Sequence, residues 1–190
     1  ETFFDDLNLN MDVAYFYVEQ KNPLNSDTRN NWKMGNTYGV NYAKGVELGL
    51  KWKPQNKKVG INFDYTYTDS YDSNNCYNGC ALVSSMKDAK VRVPRNTFSS
   101  TISHETLPGF TNSFLIKYVD ETRDFGNSNN SFADVLLDDY ITFGLSSNYN
   151  ISKDFDLTFN SVNLFDEKYE QSYQYSQMGR SFHFGLKRVY

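Results

Sequence analysis

Apolar and polar residues alternate along most of this chain with a period of two, the signature of strands exposed on two different sides. From Tyr38 to Lys53, the even positions are Tyr38, Val40, Tyr42, Lys44, Val46, Leu48, Leu50 and Trp52. The odd positions between them are small or charged, such as Gly39, Asn41, Ala43, Gly45, Glu47 and Gly49. Val59, Ile61, Phe63, Tyr65 and Tyr67 alternate with Gly60, Asn62, Asp64, Thr66 and Thr68. Leu7 to Tyr17, Ile141 to Ile151 and Phe182 to Leu186 repeat the arrangement. Weaker versions run from Thr97 to Thr106, from Phe110 to Asp120, and from Phe155 to Phe159. The pattern predicts about eight antiparallel strands.

The connections carry a second signal. Pro54 to Lys57, Leu107 to Gly109 and Ser152 to Asp154 are tight turns rich in turn-forming residues. Between them lie long polar stretches: Glu19 to Asn36, Asp69 to Lys90, Asp124 to Asp138 and Asp166 to Arg180. Short and long connections alternate strictly, as in outer-membrane barrels with short periplasmic turns and long outer loops. On that register the last strand runs inward and the C-terminus is periplasmic. A soluble sandwich would alternate too, but several of these strands run to about 12–16 residues against a usual five or six. Tyr38, Trp52, Tyr67, Tyr71, Tyr118 and Tyr149 also fall near strand ends, where interfacial girdles form.

Composition fits the same reading. Mean hydropathy is −0.65, yet aromatics make up 17 % of the 190 residues, too many for a disordered chain. Lipid-facing residues at alternate positions lower the average without removing the apolar face. No apolar run approaches the roughly 18 residues of a spanning helix. The net charge of −4 argues against a nucleic-acid partner, which would favour a basic stripe.

Candidate chemistry is sparse. Cys76 and Cys80 are a candidate loop disulfide in an oxidising compartment. His104 and His183 are the only histidines, and neither has a partner at a catalytic or metal-binding spacing. No catalytic, metal or cofactor residues are therefore expected. Asp69 to Asn75 offers oxygen ligands without the fixed spacing of a calcium loop. Tyr71, Tyr77, Tyr173 and Tyr175 lie in predicted outer loops and are candidates for ligand capture.

The C-terminal stretch adds a family resemblance. Phe182, Phe184, Leu186 and the terminal Tyr190 resemble the signal read by the barrel assembly machinery, with Arg188 departing from the usual apolar residue. Upstream, Asn163-Leu164-Phe165-Asp166 and Tyr169-Glu170 precede Gly179-Arg180. This resembles the end of TonB-dependent outer-membrane receptors, as do Gly45-Val46-Glu47 and Val93-Pro94-Arg95-Asn96. The spacing of Tyr169, Tyr173 and Tyr175 is closest to cobalamin receptors, with siderophore receptors next. The resemblance implies a 22-stranded plugged barrel, of which residues 1–190 would be the C-terminal part. The N-terminal plug, with its TonB-engaging motif, would lie outside this stretch. The implied activity is import of cobalamin or a ferric siderophore across the outer membrane, not enzymatic. The implied partners are outer-membrane lipid, the TonB complex and the assembly machinery. The alternative is a small complete eight-stranded barrel acting as a passive pore or structural protein. The small inward residues suit a wide lumen packed against a plug better than a filled narrow one.

Overall fold

The computed structural model describes residues 2–4, 8–27, 33–36, 40–54, 58–72, 89–128 and 131–188. Cys76, Tyr77, Cys80 and Tyr190, all singled out above, lie outside them. Every regular element among the described residues is a strand. β1 (Thr2–Phe4), β2 (Leu9–Lys21), β5 (Val40–Trp52), β6 (Val59–Asp72), β7 (Asn96–Leu107), β8 (Phe110–Val119), β11 (Tyr140–Ser152), β12 (Phe155–Val162) and β15 (Ser181–Arg188) form one nine-stranded sheet. Each strand pairs antiparallel with its neighbour in that order, and β1 and β15 stand at the two edges. β1 is the one wall strand that periodicity did not reveal, since three residues are too few to show a period.

The long connections are not structureless. β3 (Leu24–Asp27) pairs with β4 (Lys33–Asn36), β9 (Thr122–Ser128) with β10 (Ser131–Leu137), and β13 (Glu170–Ser172) with β14 (Tyr175–Ser176). All three hairpins stand at the same end of the sheet. The opposite end carries the tight turns, including Gly109 at φ 75°, a left-handed conformation natural to glycine.

Register fixes the two faces. Trp52, Ile61, Ile102, Phe114, Leu145 and Ser161 lie on one face through successive cross-strand pairs. Asn62, Thr101, Ser113 and Ser146 lie on the other. Rings stack along the first face, among them Phe63 with Phe98, Phe98 with Tyr118, and Phe114 with Phe143. Yet this face stays open: Phe184 is 78 % exposed, Tyr15 69 % and Leu186 67 %. The described residues contain no second sheet packed over it. A wall of strands paired side by side from β1 to β15, with an uncovered apolar face, fits a lipid solvent, not a sandwich core.

The polar face needs small residues where the wall is crowded. At Gly45 a Cβ would run into the Tyr67 carbonyl oxygen and the Phe16 ring. Near the turn end, a cavity of about 1040 Å³ lies against this face, lined by Asn10, Lys51, Lys58, Asn62, Glu105 and Asn150 among others.

Candidate functional site

The buried residues gather at the hairpin end. Among the described residues Val119, Leu137 and Tyr140 are the buried hydrophobic ones, and Thr122, Arg123 and Asp124 are buried beside them. Asp124, with 0 % exposure, sits on β9 and accepts four hydrogen bonds from different segments. The Tyr173 N–H donates to Oδ2 at 2.7 Å and the Ser172 hydroxyl to the same oxygen at 3.2 Å. Arg92 Nε and the Phe125 N–H donate to Oδ1 at 2.9 and 2.8 Å. Burial alone would raise the Asp124 pKa, but the donors from Tyr173, Phe125 and Arg92 outweigh it and hold the carboxyl below its ordinary value.

Arg123 continues the junction. Its Nη1 donates to the Ala89 carbonyl at 2.8 Å, and its own carbonyl accepts the Arg92 N–H at 2.8 Å. The approach to β7, the β9–β10 hairpin and the β13–β14 hairpin are thus tied together at two adjacent residues. Gly126 completes the fit, because a Cβ there would collide with Val135 and press on the Tyr173 ring.

Beside this junction lies a second cavity, about 270 Å³, lined by Asp138, Asp139, Lys168, Tyr169, Glu170 and Tyr173 among others. Tyr169 stacks on Tyr140 with centroids 4.0 Å apart, and Gln171 Nε2 donates to the Tyr140 hydroxyl at 3.0 Å. Burial, then the Tyr140 phenol, raises the Tyr169 pKa. The cavity offers carboxylates, one ammonium and ring edges, which suits capture by hydrogen bonding and stacking. The described residues include no group of metal-binding side chains.

Of the four tyrosines expected to capture ligand, Tyr77 lies outside the described residues, and Tyr71 is not brought together with Tyr173 and Tyr175. Tyr173 lines the small cavity, half-buried on the Asp124 junction. Tyr175 is 71 % exposed in the same hairpin. Tyr71 stacks on Tyr42 at 5.4 Å and belongs to the apolar face, turned away from the lumen side. Asp69 of the oxygen-rich stretch is a strand residue paired with Lys44 at 3.3 Å, and Ser70 points to the opposite face, so neither sits in a coordinating loop. His183 lies on the polar face with Nε2 3.2 Å from the Ser181 hydroxyl, and His104 lies on the apolar face.

The residues behind the resemblance have identifiable work in the backbone. Asn163, at φ 51° and 2 % exposed, accepts the Glu167 N–H on Oδ1 at 2.8 Å and donates to the Glu167 carbonyl at 2.8 Å. Asp166, at φ 60°, accepts the Arg180 N–H on Oδ1 at 2.8 Å. Any side chain at Gly179 would collide with that carboxylate. Phe182, Phe184 and Leu186 line the apolar face of β15, and the Arg188 guanidinium on the same face lies 5.8 Å from the Phe155 ring centroid.

A strand wall, apolar without and polar within, crowned by locked hairpins, defines a membrane β-barrel of the receptor type. A family described as "TonB dependent receptor-like, beta-barrel" matches residues 1–164. The chain belongs to that family and to the bacterial outer membrane.

Solved structures agree on the fold. The siderophore receptor PiuA of Acinetobacter baumannii superposes with a TM-score of 0.73 at 24 % identity, covering 98 % of this chain and 27 % of that one. Pseudomonas aeruginosa FpvA bound to a heterologous pyoverdine gives 0.74 at 18 % identity, covering 95 % and 25 %. The FrpB iron transporter of Neisseria meningitidis gives 0.71 at 14 % identity, covering 96 % and 29 %. The chain spans between a quarter and a third of the length of these three structures.

Proposed function

We propose that this chain forms wall and crown of a receptor that imports a ferric siderophore across the outer membrane with energy delivered through TonB. The family match over residues 1–164 carries the reading, and the named structural neighbours are siderophore or iron receptors by their descriptions. In this reading residues 1–190 are the C-terminal part of the barrel, and the TonB contact belongs to a plug domain. The large cavity on the polar face, with Lys51, Lys58 and Glu105 in its lining, receives that plug. The nine strands of the described sheet suit the wall of a wide barrel better than an eight-stranded pore. Tyr173 and Tyr175 would meet the cargo first, with Cys76 and Cys80 pinching a neighbouring outer loop as a disulfide. Phe182, Phe184, Leu186 and Tyr190 would be read by the assembly machinery.

The test is uptake and binding by the full-length receptor against a panel of catecholate and hydroxamate ferric siderophores, with cobalamin alongside. TonB-dependent uptake of a ferric siderophore is the expected result. Cobalamin uptake alone would overturn the cargo, and uptake of small solutes without TonB would favour the passive pore.

A further inference from the structure

The two oxygens of Asp124 divide their partners between two sides of the crown. Oδ1 accepts from Arg92 Nε at 2.9 Å and from the Phe125 N–H at 2.8 Å, on the approach to β7 and on β9 itself. Oδ2 accepts from the Tyr173 N–H at 2.7 Å and the Ser172 hydroxyl at 3.2 Å, both in the β13–β14 hairpin. One oxygen thus seats the carboxylate in its socket, and the other holds the hairpin to it.

The hairpin has the construction of a single moving piece. Within it, the Glu170 carboxylate accepts the Gln174 N–H at 2.9 Å, and the Tyr169 carbonyl accepts the Gln177 N–H at 3.0 Å. Its base is pinned separately, at Asn163 with Glu167 and at Asp166 with Arg180. Lys168 and Met178 join base to body, and both are exposed. A two-stranded hairpin this short is marginal by itself, so its position depends on fastenings to its neighbours. These are Asp124 at the tip and Tyr140 further down, which meets the Gln171 amide and the Tyr169 ring.

The cavity of about 270 Å³ lies between this hairpin and the β9–β10 hairpin, with Leu136 and Leu137 in one wall and Tyr169, Glu170, Tyr173 and Ser176 in the other. Swinging the hairpin about its base breaks the Oδ2 bonds and parts the two walls. The Oδ1 bonds stay, and keep the carboxylate in place for the return. Local openings of this kind fall to elements with few buried apolar contacts, and Tyr175 in this hairpin is largely exposed.

We infer that the β13–β14 hairpin is a hinged lid over this cavity, latched by Asp124 Oδ2, and that its opening controls entry. Drug-sized ligands fill pockets of about 300–1,000 Å³, so the space behind the lid takes one arm or ring of a larger ligand. The device stands on the crown's own contacts and is independent of the cargo.

Asp124→Asn separates latch from socket. Oδ1 must remain an oxygen to accept from Arg92 and Phe125, so the amide nitrogen takes the place of Oδ2 and opposes the Tyr173 N–H, donor against donor. Leu137→Cys, in a cavity wall that is 5 % exposed, reports opening through alkylation by N-ethylmaleimide, read by peptide mass spectrometry on the full-length receptor. The introduced thiol should react about tenfold faster once Asp124→Asn is added, with hydrogen exchange across β9 unchanged. Equal rates in the two proteins overturn the lid, as does faster reaction accompanied by lost protection throughout β9. If Leu137→Cys does not assemble, hydrogen exchange in the receptor with its native Leu137 decides. Under Asp124→Asn, residues 170–176 should then exchange faster as one group while β9 keeps its protection, and exchange of both in step overturns the proposal.

Discussion

Wall and crown hold themselves together by opposite means. In the wall, aromatic and aliphatic side chains such as Phe184 and Tyr15 remain largely uncovered by protein, while backbone ladders join each strand to its neighbour. Its apolar partner is the bilayer, supplied from outside. In the crown, the largest fully buried side chains among the described residues are Arg123 and Asp124, and their partners come from two other segments, at Ala89 and Arg92 and at Ser172 and Tyr173. Adding a charge to the wall breaks its contract with lipid, whereas removing a charge from the crown leaves buried donors unmet. The same polar group is thus a defect in one region and a fastener in the other.

The largest expected effect is steric and belongs to the wall. Gly45→Val drives a side chain against the Tyr67 carbonyl and the Phe16 ring, and strand pairing between β5 and β6 cannot relax around both. Folded, heat-modifiable protein should fall to a small fraction of the normal yield in outer membranes. Normal yield would mean that the close approach of backbone at this position is not required.

Leu145→Arg tests the lipid half of the comparison. Leu145 lies mid-strand on the apolar face, so a guanidinium there should cost about 2–4 kcal/mol in barrel stability. Equilibrium unfolding in lipid vesicles reads this out. The mirror experiment, Asp124→Ala, leaves the Tyr173 and Phe125 N–H groups and the Arg92 guanidinium without their acceptor and should loosen the crown by about 2–3 kcal/mol. Hydrogen exchange should quicken across residues 170–176 while β7, β8 and β11 keep their protection. Equal loss of protection in both regions would dissolve the distinction between them.

Acid offers a gentler version. The Asp124 carboxyl is held below its unfolded value, so its contribution is fully present above about pH 4, the unfolded carboxylate range. It is lost as pH falls through the lower folded value. Hydrogen exchange in the β13–β14 hairpin should therefore be flat from neutral pH down to about 4, after correction for intrinsic rates, and rise only below it. A rise already near neutrality would point to another titrating group.

How much of this could be read in advance follows from where the solvent lies. Strands with lipid on one side and lumen on the other must alternate, so β2, β5, β6, β11 and β15 were legible within a few residues. The β9–β10 hairpin was not, because it stands clear of the bilayer and its residues 124–138 resemble a solvated loop. One signal was available: Val135-Leu136-Leu137 is an apolar run without a reason in a purely polar loop, and Leu137 proves buried. The junction at Asp124 left no spacing to find, since its partners lie 32 and 49 residues away in sequence. Tyr71 looked like a loop aromatic because β6 extends four residues beyond the alternation that marked it, to Asp72.

The backbone roles of Asn163, Asp166 and Gly179 also bear on engineering. Both ends of the last outer excursion are anchored by hydrogen bonds local to the chain reversal, at Asn163 with Glu167 and at Asp166 with Arg180. The stretch between them behaves as an exchangeable cassette with standard fittings. Grafting a foreign sequence between residues 168 and 178 should preserve the return of the chain into β15, provided the graft supplies its own grip on Asp124.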